Sequence, residues 1–221
     1  MGLNVIVGVG GAAYNKQFAA INTALRAIGL PPHIEPENPP SPLPKEFELY
    51  GYTGLHYLRR IAAYLIAGEK LPPPGDESAP EDDVLLQCYE DQDVELHVTP
   101  DGMVGQPGTV LEFDHLMTHS DAEGYYIPVD FDRVIHTSPI MHIGGQFIGS
   151  SKSLMSECER LAKALELPLD LDPDSEEVQS APEDQGIGDG WRKYGIEALT
   201  CLSLYHAARL SISHRCAMIF N

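Results

Sequence analysis

The spacing of apolar residues predicts four long helices. Phe18, Ile21, Leu25 and Ile28 recur at helical spacing within residues 13–28, and Gly29 can end that helix as a C-terminal cap. The same period predicts helices over about 53–67, 150–165 and 191–212. Each of these helices has one apolar face, so each is expected to pack on a shared core.

Short β-branched or alternating runs predict the strands, which are expected at 3–9, 84–89, 94–98, 125–129, 134–135 and 216–220. The segment 109–119 fits either a strand or a short helix. Because strands and helices interleave irregularly, we predict one α+β domain over residues 1–221, with a mixed or mainly antiparallel sheet and about four helices.

Proline-rich and acidic stretches connect these elements. Residues 31–45 and 71–83 are expected to be surface loops, because proline neither continues a helix nor donates to a strand ladder. Residues 167–190 contain many acids and no base, so we expect a mobile or disordered acidic loop.

The net charge of the chain limits the classes of molecule that it is expected to bind. The net charge is −19 with only 14 Lys and Arg, which argues against binding nucleic acid or an anionic membrane. Long-range attraction would instead favour a basic protein. Neither a signal peptide nor an apolar run long enough to span a membrane is evident, and the four cysteines are widely spaced. We therefore expect a soluble cytoplasmic protein with reduced thiols.

The segment 112–131 is the best candidate for a functional site, because it holds two histidines and five carboxylates in a stretch that is typical of a surface loop. It lies inside the window 71–132, which contains sixteen Asp and Glu and no Lys or Arg. Any group that neutralises these acids must therefore come from elsewhere in the fold, from a cation or from a partner.

Two kinds of chemistry are possible in this segment. His115 and His119 are four residues apart, as on one face of a helix, and Asp121 and His136 could complete a divalent metal site. A catalytic centre would draw on His119, Ser120, Asp121 and Glu123. Alternatively, Ser120 and Asp121 accept hydrogen bonds from loop amides, and His119 donates to a carbonyl group.

A second set of residues is expected to bind a partner or to balance charge. Arg59 and Arg60, with His56, are candidate counter-charges for the acidic segment, and the serines before the third long helix can cap it or hold an anion. The full set is Tyr125, Tyr126, Asp130, His56, Arg59, Arg60, Ser150 and Ser151.

The run from His119 to Phe131 resembles a recurring motif of an uncharacterised bacterial protein family, His-Ser-Asp-(Cys or Ala)-Glu-Gly-Tyr-Tyr-(Ile, Val or Leu)-Pro-Val-Asp-Phe. Residues 24–37, 55–60 and 148–151 extend the similarity over most of the chain. The family has no established activity, so the resemblance implies a grouping without a chemistry. Ala122 stands where cysteine is common, which argues against a thiol function at that position.

Two hypotheses follow. The first is an acidic protein-binding module without a cofactor, of the immunity or inhibitor type, which engages a basic partner through the 112–131 segment and the flanking acidic loops. The second is a metal-assisted hydrolase built on His115, His119, Asp121 and Glu123 with a divalent metal ion.

Overall fold

A computed structural model describes residues 3–10, 14–91, 97–105 and 112–220. A six-stranded mixed sheet has the order β2-β1-β8-β5-β7-β6, in which only β5 and β7 run parallel, and β3 and β4 form a separate antiparallel hairpin. The strands are β1 (Asn4–Val7), β2 (Lys45–Glu48), β3 (His97–Thr99), β4 (Gly102–Val104), β5 (Gly124–Ile127), β6 (Ile135–His136), β7 (Phe147–Ser150) and β8 (Met218–Phe220).

Four of the α-helices are long and confirm the helical periods of the sequence: α1 (Asn15–Ala27), α2 (Gly51–Ile66), α5 (Ser151–Ala164) and α7 (Gly195–His214). Three shorter ones accompany them in the described residues: α3 (Asp83–Asp91), α4 (Asp114–Met117) and α6 (Glu176–Gln179). The predicted single α+β domain with a mixed sheet is therefore confirmed.

The sheet is covered on both faces. On one face, Val5, Met218 and Tyr126 pack in a core with the buried sides of α2, α3, α5 and α7. On the other face, α1 covers Ile127 and Ile219. Neighbouring residues of a strand point to opposite faces, so the consecutive Tyr125 and Tyr126 enter different cores.

The strand predicted at 84–89 is wrong, because these residues belong to α3. Asp82 begins this helix: its Oδ1 accepts the amides of Val84 and Leu85 at 3.0 and 3.3 Å. Arg60 of α2 holds the Asp82 carboxylate at 2.7 Å. The apolar run therefore turns into a helix whose buried face is Leu85 and Cys88.

Two other predictions fall partly outside the described residues. Of the predicted strand 94–98, the described part begins β3 at His97. Of the ambiguous segment 109–119, residues 114–117 form helix α4 and residues 109–111 are not described. The acidic segment 167–190 contains α6, and its Val178 and Ala181 are fully buried.

Candidate functional site

The 112–131 segment is built around the short helix α4, and buried polar side chains from two long helices hold the two ends of this helix. At its beginning, the buried Glu157 of α5 accepts the amides of His115 and Leu116 at 2.9 and 2.8 Å. At its end, the buried Arg59 of α2 donates to the carbonyl groups of Leu116 and His119 at 2.8 and 2.6 Å. These bonds satisfy the groups that a helix leaves free, and they tie the segment to two long helices.

His115 is a buried, neutral hydrogen-bonding residue. Its Nδ1 accepts the amide of Ser150 at 3.0 Å, so the proton lies on Nε2, which donates to the Phe131 carbonyl at 3.0 Å. Burial lowers the pKa of His115 from 6.5 to about 4. With both nitrogens engaged by backbone groups, the ring has no lone pair free for a metal.

His119 lies flat against Tyr126, with ring centroids 4.1 Å apart. Its two nitrogens face the carbonyl oxygens of Ser120 and Tyr125 at 3.0 and 3.2 Å, and burial lowers its pKa to about 3. The ring also covers Gly124, where a Cβ atom would lie 2.6 Å from its Cε1. His119 is therefore fixed by packing.

The other residues predicted to hold a metal do not form a group of ligands with His115 and His119 in the described part of the chain. His136 packs edge-on against Phe147 and lies beside His97, with centroids 4.6 and 6.4 Å away. Asp121 approaches His56 at 3.7 Å on a partly exposed surface. Within the described ranges, no group of three or more His, Cys, Asp or Glu is placed to hold a metal ion.

The catalytic candidates form a turn. Ser120 Oγ accepts the amides of Ala122 and Glu123 at 3.2 and 3.3 Å, as expected for a loop-stabilising serine. Glu123 in turn accepts the amide of Gly145 at 3.1 Å. His119 faces the carbonyl oxygen of Ser120, so these contacts do not form a serine–histidine nucleophile.

Most residues predicted to bind a partner lie inside the molecule. The buried ones are Arg59, Tyr125, Tyr126, Ser150 and Ser151. Tyr126 donates to the His115 carbonyl at 2.6 Å, and Ser150 caps α5 by accepting the amide of Ser153. Two others lie where a partner can reach them: His56 is partly exposed, and the side chain of Asp130 is 72% exposed.

The larger surface feature is a band of exposed acids from three segments that contact one another; the sequence predicts the acidic loops at 71–83 and 167–190, but not their contact with each other or with β2. We call it the acidic band and define it as residues 76–91, residues 170–189 and strand β2. Its exposed carboxylates without an ion pair to any described residue are Asp76, Glu77, Glu81, Asp83, Glu90, Asp91, Asp170, Asp172, Glu176, Glu183, Asp189, Glu46 and Glu48.

Hydrogen bonds connect the three parts of the band. Gln185 donates to the Gly75 carbonyl at 3.1 Å, which brings residues 170–189 next to residues 76–91. Lys45 of β2 donates to Asp174 at 2.8 Å, and beyond it Glu46, Glu48 and Asp174 line one polar cavity. Segments far apart in sequence therefore form one surface.

Few bases interrupt the acidic band. Arg60 pairs with Asp82 at 2.7 Å, and Arg192 pairs with Glu177 at 2.9 Å and with Asp184 at 3.5 Å. Hydrogen bonds from Ser78 lower the pKa of Asp76. Burial raises the pKa of Asp82, but the hydrogen bonds from Arg60, the Leu85 amide and Tyr64, together with the charge of Arg60, lower it overall. These two carboxylates are therefore ionised at neutral pH.

Comparison with known proteins and families gives a match to a protein family. A family described as "Putative DNA-mimic protein" matches residues 1–220. No curated protein and no solved structure matches the chain. No helix of the described residues is long and apolar enough to cross a membrane.

The family match corrects the partner predicted from charge. That prediction set nucleic acid aside and named a basic protein, such as a toxin. The predicted class of partner is wrong. A DNA mimic imitates nucleic acid, and its partner is a DNA-binding protein. The acidic excess that excludes phosphate binding is the feature that such imitation requires.

Proposed function

The chain belongs to the family described as "Putative DNA-mimic protein", and on this basis we propose that it occupies the DNA-binding site of a DNA-binding protein through its acidic band. The full-length family match carries the proposal. The continuity of the band across three segments supports it, since a mimic of a nucleic-acid backbone needs many charges on one surface.

The chemistry of the band suits this role. Duplex DNA presents one negative charge about every 1.7 Å along its axis, and proteins bind it largely through Lys and Arg contacts to phosphates. Ionised carboxylates accept the same charge-assisted hydrogen bonds from these side chains. Exposed acids such as Glu176 and Glu183 are free of ion pairs to described residues, so they can accept them without first breaking an internal contact.

The 112–131 segment supports the surface from within. Arg59 and Glu157 connect the segment to α2 and α5, and α2 also holds Asp82 through Arg60. A rigid scaffold reduces the ordering cost that binding would otherwise carry. In this proposal, the motif is a structural element, and the acidic band makes the contact.

The proposal can be tested by capture and competition. The immobilised chain is exposed to a nuclease-treated extract of the native organism and then eluted with duplex DNA. We expect a DNA-binding protein in the eluate, and the purified partner should lose its DNA in the presence of the free chain. A variant with Asp170→Asn, Glu176→Gln and Glu183→Gln should compete more weakly.

A variant with the same loss of charge outside the band is the matched control. Glu37→Gln, Asp101→Asn and Glu159→Gln alter exposed carboxylates that form no ion pair with described residues. This variant should compete like the unmodified chain. If both variants compete equally weakly with DNA, the effect depends only on net charge and the band has no special role. If DNA does not release the captured protein, mimicry is contradicted.

A further inference from the structure

A second site lies on the face of the sheet covered by α1, away from α3 and α6. It is a cavity of about 320 Å³ between the residues that follow α1, the β3–β4 hairpin and β6. Its walls are mainly apolar and include Leu30, Val98, Met103, Phe131 and Ile135. Met103 at the opening is 60% exposed. A concave apolar cavity of this size with a few polar groups is typical of a small-molecule site.

Arg133 is the notable polar group of the wall. It is half-buried, and it forms no hydrogen bond or ion pair with any described residue. The other described bases without such a partner are all exposed: Lys16, Arg26, Lys70, Lys163, Lys193 and Arg215. A half-buried guanidinium without a carboxylate is unexpected in a chain with 33 acids, because a paired charge is easier to desolvate.

The groups beside Arg133 form no hydrogen bond or ion pair with its guanidinium. His136 lies in the same wall, and its Nε2 is buried with no hydrogen-bond partner among the described residues. Asp114 is buried and already accepts the Val134 amide at 2.6 Å, whereas the neighbouring Asp132 is exposed to solvent. Since no described residue accepts a hydrogen bond from Arg133, the donors of its guanidinium are available to a ligand.

We infer that this cavity binds a small amphipathic anion, a carboxylate with an apolar body. The apolar part would lie between Leu30, Met103 and Ile135, and the carboxylate would accept hydrogen bonds from Arg133. A guanidinium is well suited to this contact because it can donate two parallel hydrogen bonds to one carboxylate. This site is independent of the acidic band and of the proposed mimicry.

Calorimetric titration with three probes of equal chain length tests the inference. Octanoate should bind more tightly than 1-octanol, and octylammonium should bind weakest. In Arg133→Met, the Kd for octanoate should rise about ten- to a hundredfold, as for loss of a charge-assisted hydrogen bond, while that for 1-octanol changes little. Arg26→Met, which removes an exposed arginine of α1, should leave all three values unchanged.

A second variant tests the location. Leu30→Trp enlarges a half-buried side chain in the cavity wall and should weaken both octanoate and 1-octanol. Unfolding midpoints of each variant show that it is folded. Equal octanoate affinity in the unmodified chain and Arg133→Met, tighter binding of octylammonium, or no octanoate binding at millimolar concentration would each overturn the inference.

Discussion

Replacing Gly124 by alanine tests whether His119 is fixed by packing. Gly124 has φ 131°, and an added Cβ would lie 2.6 Å from Cε1 of His119. The ring cannot retreat freely, because it stacks on Tyr126 and its nitrogens face two carbonyl groups. The substitution therefore adds a steric clash to the backbone strain that any non-glycine residue has at this φ.

Gly102 provides a matched control. Its φ is 132°, nearly the same, but an added Cβ would meet no atom within 4 Å. Backbone strain should destabilise Gly124→Ala and Gly102→Ala by the same amount, about 1–3 kcal/mol. The lower entropy of the unfolded chain should stabilise both variants equally. Overpacking adds about 1–3 kcal/mol at Gly124 alone. The difference between the two variants measures the crowding around Gly124, which is mainly the contact with His119 and also includes the Phe147 carbonyl oxygen, 3.2 Å from the added Cβ.

The assay is urea unfolding followed by far-UV circular dichroism, with the free energy of unfolding extrapolated to water. We expect Gly124→Ala to be less stable than Gly102→Ala by about 1–3 kcal/mol. If the two variants agree within about 0.5 kcal/mol, the ring of His119 is not held in place and the account of the segment as a rigid support is refuted.

Other predictions concern the buried charges. Arg59→Met should cost about 2–5 kcal/mol, since two buried carbonyl groups lose their donors, whereas the exposed Arg160→Met should cost about 1 kcal/mol or less in the same urea assay. The two buried histidines of the 112–131 segment and His136 have pKa values lowered to about 3 or 4, so the unfolded chain binds more protons and stability should fall as pH drops from 6.5 towards 4. Glu157, with its pKa raised by burial from 4.5 to about 8, has the opposite effect and makes stability fall as pH rises from 4.5 to 8, by up to about 1.4 kcal/mol per pH unit. Below pH 6.5 the three histidines outweigh this effect, and above pH 6.5 it sets the net decrease. Urea midpoints at pH 5, 6.5 and 8 should therefore be highest at 6.5, and Glu157→Gln should flatten the alkaline decrease; a midpoint that rises steadily to pH 8 would contradict this assignment. Ser150→Ala should cost about 1–2 kcal/mol through loss of the α5 cap, read from the thermal midpoint.

The sequence predicts the elements that bury one regular face. The spacing of Phe18, Ile21 and Leu25 locates α1 because these residues meet one core. It fails at 84–89, where three consecutive apolar residues resemble a strand. The helix begins at Asp82, whose Oδ1 accepts the amides of Val84 and Leu85 and which is itself a local helix-start signal. The Arg60 that holds this carboxylate lies 22 residues away in the chain.

The same limit applies to the site. The spacing of His115 and His119 is compatible with metal binding, but the groups that occupy their nitrogens include residues 125, 131 and 150. The acidic composition is visible in the sequence, whereas the continuity of the acidic band depends on the contact between Gln185 and Gly75. The spacing of apolar residues indicates which positions are buried, but it does not indicate which residues far apart in sequence come into contact.

The position of β8 governs the order in which the sheet can assemble. Residues 218–220 lie between β1 and β5, although β1 begins at residue 4. During synthesis, β1 with β2 and β5 with β7 remain two separate ribbons until α7 and β8 have emerged. A newly made chain therefore exposes strand edges on both ribbons until residue 220 has emerged, and contacts of such large sequence separation form slowly. The emergence of α7 and β8 is therefore the step at which a chaperone would most affect the yield of folded protein.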